Sequence, residues 1–331
     1  MRKQTKIAAV VSAAALLALG ASMTSFAASK GTWMMVDGEW YCYDKNGDAY
    51  TNVFCSSNGK EYFVGDDGQL VRSEWVDYDG SYYFVNSSGA KITNDWRLTT
   101  PYDDDTADEE WYYFKSNGKK LYADNGERTK DKTINGKKYA FDEYGAMVAE
   151  WSLDEDDEKK ASDTEAQEAA STASTSEAWE GNGKYAKYTQ AWKYYNSVED
   201  GSRVSKGWFK VVPAEMLNKE KYDDDEESWY YADGSGNLYA GEFKTIKGKK
   251  YAFRNDGRML TGLKFIKEGD EDFADVKADD DDSRPFDNED DFFDNAIEFY
   301  EPNGYKCYYF GGGDDGAMRT GKTTINYDGE N

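Results

Sequence analysis

Large apolar residues along this chain come in short aromatic clusters, and a few polar residues after each cluster stands a glycine. Residues 62–68 read YFVGDDG, 82–89 YYFVNSSG, 139–145 YAFDEYG and 251–257 YAFRNDG. The same grammar recurs at Tyr41 and Tyr43, from Trp111 to Phe114, at Tyr194 and Tyr195, from Trp229 to Tyr231, and from Tyr308 to Phe310, nine copies in all. Aromatic residues favour strands, and side chains along a strand alternate faces. In Tyr139-Ala140-Phe141 the two rings therefore share one face. The following DEYG predicts a turn, with Gly145 free to take positive φ. A second short strand, Ala146–Ala149, should complete a hairpin. It carries an apolar residue in the slot occupied by Met147, Met259, Met318, Leu70 or Ile92.

One such hairpin has an apolar face and nothing to bury it against, so alone it is marginal in water. Adjacent copies recur about every twenty residues, the length of a hairpin and its connector. Stacked copies would bury each other's faces along a spine. The expected fold class is all-β, a β-solenoid of stacked β-hairpins. A longer repeat overlies the short one. INGKKYAFDEYGAM at 134–147 returns as IKGKKYAFRNDGRM at 246–259. Each is preceded by a tryptophan, a proline-containing bend, an acidic loop and an aromatic cluster, in 96–114 and 208–232. A third long unit begins near Gly262 and crosses the acidic stretch 269–295. It reaches CYYF, and the sequence stops where its next aromatic strand is due, which predicts a truncated end or a half-hairpin.

Two segments break the pattern. Residues 1–27 have a basic start at Arg2, Lys3 and Lys6, an alanine-rich apolar run, and small residues at Ser25 and Ala27, as in a cleavable signal peptide. Residues 153–178 are rich in Asp, Glu, Ala, Ser and Thr, a composition that buries little and suits a flexible acidic linker. The expected organisation is a signal peptide at 1–27, a first repeat array at 28–152, the linker at 153–178, and a second array at 179–331.

Charge and chemistry narrow the reading. The chain has 65 Asp+Glu against 40 Lys+Arg, a net charge of −25, which disfavours nucleic acid and anionic membranes as partners. There is no histidine, which removes Ser-His-Asp, Cys-His and His-ligated metal sites together. Carboxylates are plentiful but lie in acidic runs, without the rigid setting that tunes a catalytic pair. No catalytic residue, cofactor or metal site is expected. DKNGD at 44–48 and DNEDDFFDNAIE at 287–298 lack the glycine an EF-hand requires at its sixth position. They read as solvated acidic loops, with weak calcium binding at most. Export would permit a local disulfide between Cys42 and Cys55, and Cys307 reads as a substituted strand position.

The tryptophans are the sharper signal. Trp75, Trp96, Trp151 and Trp208 recur where a hairpin ends, and Trp40, Trp111 and Trp229 where an aromatic strand begins. A narrow stack cannot bury every large ring, so some should line clefts between hairpins, suited to sugars or to quaternary ammonium groups. GKKYAFDEYGAM, WYYF followed by NGKK, and KGW resemble the cell-wall-binding repeats of Gram-positive surface proteins, the choline-binding and glucan-binding repeat superfamily. The resemblance covers nearly all of the chain outside the linker and acidic inserts. It implies a secreted, non-catalytic protein held without covalent attachment at the cell surface, on choline-substituted teichoic acid or on glycan. It also implies aromatic boxes that join Trp75 with Tyr83, Trp96 with Trp111 and Tyr113, and Trp208 with Trp229 and Tyr231. The alternative is a structural or adhesive surface protein whose acidic loops meet a host or calcium.

Overall fold

The structure, a computed structural model, describes residues 29–124, 129–153, 183–270, 272–278 and 285–325. The expected signal peptide lies outside them, and so does the linker apart from Leu153. Among the described residues the strands form nine antiparallel sheets, eight of two strands and one of three. The pairs are β1 (Thr32–Val36) with β2 (Glu39–Tyr43), β3 (Val53–Ser57) with β4 (Lys60–Val64), β5 (Glu74–Tyr78) with β6 (Ser81–Val85), and β7 (Asp95–Thr99) with β8 (Glu110–Phe114). They continue with β9 (Lys130–Ile134) and β10 (Lys137–Phe141), β11 (Glu150–Leu153) and β12 (Trp192–Tyr195), β13 (Gly207–Val211) and β14 (Ser228–Ala232), and β15 (Glu242–Ile246) and β16 (Lys249–Phe253). In the last sheet β17 (Gly262–Glu268) lies between β18 (Phe273–Ala278) and β19 (Lys306–Phe310). The fold is an all-β repeat of stacked hairpins, as the aromatic grammar predicts.

The hairpin boundaries differ from the expected ones. In several hairpins the tight turn precedes the aromatic strand: Asp37-Gly38, Asn58-Gly59, Asp79-Gly80, Asn135-Gly136 and Lys247-Gly248 all have positive φ at both residues. That is the type I′ geometry whose twist matches two antiparallel strands. The later glycine, Gly145 for example, closes a wider loop that returns as a single bridge, Phe141 to Met147, rather than as a strand. The tryptophans expected at hairpin ends instead sit second in the first strand, each across from a ring: Trp75 from Phe84, Trp96 from Tyr113, Trp151 from Tyr194, and Trp208 from Tyr231.

The bridged slot holds the stack together. Its backbone N–H donates to a carbonyl in the preceding hairpin: Leu70 to Trp40, Lys91 to Glu61, Lys120 to Tyr82, Met147 to Trp111, Arg203 to Lys138, Met259 to Trp229 and Met318 to Lys250, at 2.7–2.9 Å. Here too the sequence reading needs correction. The third hairpin's slot is Lys91, not Ile92, and with Lys120 and Arg203 the slot is basic in three repeats.

The chain divides into two compact units, one built from the described part of Met1–Gly126 with Phe141–Met147, the other from Glu127–Ala140 with Val148–Asn331. In the first, Trp75, Phe84, Tyr112, Phe114 and Ala146 form one buried cluster, and Phe54, Phe63, Val76, Tyr83 and Val85 another. In the second, the largest cluster gathers Tyr188, Trp192, Phe209, Leu217, Tyr230 and Leu238. Strands β11 and β12, which flank the low-complexity segment, pair residue for residue from Glu150–Tyr195 to Leu153–Trp192. That segment is therefore an insertion between the two strands of one hairpin.

Among the described residues three α-helices interrupt the strands: α1 (Gly183–Ala191), α2 (Lys219–Asp223) and α3 (Glu289–Tyr300). The acidic stretch read as a loop at 287–298 is largely α3. Asn288 caps it by accepting from the Asp291 N–H, and Phe292, Ala296 and Tyr300 form a buried face against Phe265. Those three residues recur every four positions, a helical period that the surrounding acids obscure.

Candidate functional site

The hairpin tryptophans fall into two classes. Trp75 is buried, with Tyr112 at 5.0 Å, Phe84 at 5.5 Å and Phe114 at 5.6 Å between ring centroids. Its indole N–H donates to the Thr100 carbonyl at 2.9 Å. Trp151 repeats this arrangement, with Tyr194 and Tyr230 both at 5.1 Å and its N–H on the Val212 carbonyl at 2.7 Å. Thr100 and Val212 each precede a proline, which holds the preceding residue extended. The proline bends of the long repeat thus present a carbonyl to an indole N–H, at buried Trp75 and at half-buried Trp151. Tyr83 does not join Trp75. It lies one residue out of register, opposite Val76, and its ring belongs to the cluster on the other face of the hairpin.

Trp96 and Trp208 are half-buried. Trp96 meets Tyr113 edge-on at 5.2 Å and stacks on Phe141 at 5.5 Å and 27°. Trp208 meets Tyr231 at 5.1 Å and stacks on Phe253 at 5.7 Å and the same 27°. The two long repeats reproduce one ring arrangement. Trp111 and Trp229, both half-buried, stand two residues before Tyr113 and Tyr231 and so point to the same face. Trp229 lies 6.4 Å from Trp208 at 85°. Tyr251 adds an edge at 4.8 Å from Trp208, and Tyr239 stacks on Tyr231 at 5.2 Å and 8°. The structure therefore brings together the expected residues around Trp208, and sets Tyr113 against Trp96 with Trp111 opposite Leu98 in the same hairpin. It also adds Phe141, Tyr251, Phe253, Tyr239 and Met259, which sequence reasoning assigned to the spine or left out. The signal for them was register: each hairpin's rings close the cleft of the hairpin before it.

Charge is distributed unevenly around these rings. Lys210 donates to Asp314 at 3.2 Å, and the same carboxylate accepts from the Trp229 indole at 2.8 Å. These two partners hold the Asp314 carboxyl below the usual range. At the Trp75 cleft the buried Lys120 ammonium lies 4.7 Å from the Tyr82 ring, 5.4 Å from Trp75 and 5.7 Å from Tyr112. Burial pulls its pKa below the ordinary lysine value, against the pull of Asp142 and Asp103. Lys91 similarly lies 4.9 Å from Phe54 and 5.4 Å from Tyr83, and pairs with Glu61.

Among the described residues no group of three or more cysteine, aspartate or glutamate side chains is arranged to hold a metal. Cys42 and Cys55 are free thiols buried side by side in one cluster, and their mutual hydrogen bond lowers the pKa of Cys42 and raises that of Cys55. Cys307 is half-buried in β19 opposite Phe265.

No family model matches the chain, and no curated protein matches it. Solved structures do. CbpJ from Streptococcus pneumoniae aligns at 20% identity over 70% of this chain and 58% of its own, with a TM-score of 0.42. The modular autolysin LytC from Streptococcus pneumoniae aligns at 16% identity over 91% of this chain and 50% of its own, with a TM-score of 0.44. The choline-binding domain of CbpL from Streptococcus pneumoniae aligns at 20% identity over 71% of this chain and 88% of its own, with a TM-score of 0.39. The chain thus spans little more than half the length of CbpJ, and half that of LytC. The chain is similar to solved proteins that include choline-binding ones.

Proposed function

We propose that this chain is a secreted, non-catalytic cell-wall-binding protein. It attaches to envelope polymer at the cell surface through half-open aromatic clefts between hairpins, at Trp208 and at Trp96. The observation that carries this reading is the Trp208 cleft. Trp208, Trp229 and Tyr231 from one hairpin meet Tyr251 from the next, largely edge to face, while Trp208, Trp229 and Tyr231 stay half-exposed. Rings set at steep angles around one point offer their faces to a quaternary ammonium, an interaction of about 0.5–2 kcal/mol per ring. The Asp314 carboxylate at the cleft's edge accepts from the Trp229 indole and is paired with Lys210, so the preference for a cation rests on the rings. Choline-substituted teichoic acid is accordingly the first ligand, and a wall glycan the second.

The test is retention of the purified protein on choline resin, on Gram-positive wall and on dextran. The expected result is retention on choline resin and on choline-bearing wall, with release by free choline. Retention on dextran that choline does not release would assign a glycan. Passage through all three columns would overturn the proposal in favour of a structural or adhesive role for the repeats.

A further inference from the structure

The bridged slot packs among the rings of the clefts at Trp208 and Trp75. In the Trp208 cleft it is Met259, which packs in one cluster with Trp208, Tyr231 and Tyr239. In the Trp75 cleft the same slot is Lys120. The surrounding rings correspond one to one. Trp75 and Trp208 come from the first strand. Tyr82 and Trp229 are the residues whose carbonyls accept the slot's N–H. Tyr112 and Tyr251 come from the next hairpin. An ammonium group facing three aromatic rings, all within 6 Å, occupies the position that a cation–π cage offers an external cation.

The lysine is held there, not merely passing. Its residue is 8% exposed, and its Nζ donates to the Tyr144 carbonyl at 2.7 Å. Its methylene stem runs under Gly145, where a Cβ would come within 3.0 Å of the lysine Cδ and 2.7 Å of the Leu121 carbonyl. Lys91 repeats the device with two rings, its stem 2.8 Å from where a Cβ on Gly118 would stand.

We infer that Lys120 is the tethered occupant of its own aromatic cage, and that the slot residue decides which clefts admit a cationic ligand. Lysine closes the Trp75 cleft; methionine places no charge in the Trp208 cleft, where Lys210 lies 5.9 Å from the Trp229 ring and is drawn to Asp314. A free ammonium ligand entering the Trp75 cleft would have to displace a cation already linked to the chain, and would meet its charge. The number of ligand sites is therefore smaller than the number of hairpins. The ligand class in this argument rests on the proposed function; the occupancy of the cage does not.

The experiment is equilibrium dialysis of the full chain against labelled choline, comparing the natural protein with Lys120→Met and Met259→Lys. Lys120→Met should bind one more choline per chain, and Met259→Lys one fewer. Unchanged stoichiometry in a folded Lys120→Met protein overturns the inference. If the natural protein binds no choline, the choline version of the proposed function fails, while a new site in Lys120→Met still upholds the inference. A second measurement needs no altered cleft. In protein labelled with carbon-13 lysine, the Lys120 Hε resonances, identified by their loss in Lys120→Arg, should lie upfield of other lysines and stay in place when choline is added. Ordinary Hε positions would also overturn the inference.

Discussion

A buried indole must find an acceptor for its N–H, and Trp75 takes the carbonyl of Thr100. Trp75→Phe would leave that carbonyl without its donor, at a cost of about 1–3 kcal/mol before any loss of packing. Urea denaturation should show the midpoint falling with little change in slope. A second residue-scale effect concerns pH. Lys193 is pushed down to about 8, first by burial and then by the charge of Arg203. In the unfolded chain it titrates near the ordinary lysine value of about 10.4. Between those values the unfolded chain holds the extra proton, so stability rises with pH from about 8 to about 10. Lys120, lowered by burial, acts in the same direction. Tyr195 acts the other way, because burial and Asp131 raise its pKa. It stays neutral in the fold while its unfolded counterpart ionises near about 10, and stability falls above that. In melting temperatures followed by circular dichroism between about pH 8 and 10, Lys193→Met should lose the gain with pH that Lys193 contributes to the natural protein.

At the scale of the element, the two kinds of glycine in the repeat carry different loads, Gly80 as a tight-turn residue and Gly145 as a wide-loop one. A Cβ on Gly80 would meet nothing within 4 Å, but its φ of 63° belongs to the type I′ turn. Gly80→Ala should cost only the left-handed strain, about 1–2 kcal/mol. A Cβ on Gly145 adds a 2.7 Å clash with the Leu121 carbonyl, a backbone atom that cannot move aside. Gly145→Ala should be the more destabilising change in the same thermal melt; equal losses would mean that the loop yields freely. Such glycines also explain what the sequence made legible. Rings followed by glycine marked every sheet, because strand propensity and positive φ are local properties. The hairpin's phase reads wrongly from sequence because in five hairpins two glycine turns flank the aromatic strand, and only the earlier one is the tight two-residue turn. An apolar slot at Ile92 gives way to Lys91, and the slots at Lys120 and Arg203 carry no apolar signal at all, because long stems pack there and the charged heads find rings or Asp131. Phe141 and Phe253 were assigned to the spine because a contact between neighbouring hairpins leaves no periodic trace in either one. Helix α3 was hidden because its buried stripe is only three residues wide among acids.

At the scale of the whole molecule, the hairpin of β11 and β12 matters most. Residues 129–153 contribute β9, β10 and β11, and they hold later residues through the Arg203–Asp131 pair at 2.7 Å and the bond from Arg203 N–H to the Lys138 carbonyl. The packing of Trp151 against Phe209 and Tyr230 adds to this. A protease site engineered near residue 170 should therefore give two fragments that co-elute on gel filtration and part only in denaturant. Separation without denaturant would show that the strand pairing is too weak to hold them. The insertion itself has a use. Strand pairing fixes Leu153 and Trp192, and the cost of joining two fixed points changes slowly with chain length: doubling a loop costs only about 0.6 kcal/mol. The repeat scaffold thus carries a built-in port, where a folded cargo could be spliced into the chain without disturbing a hairpin register.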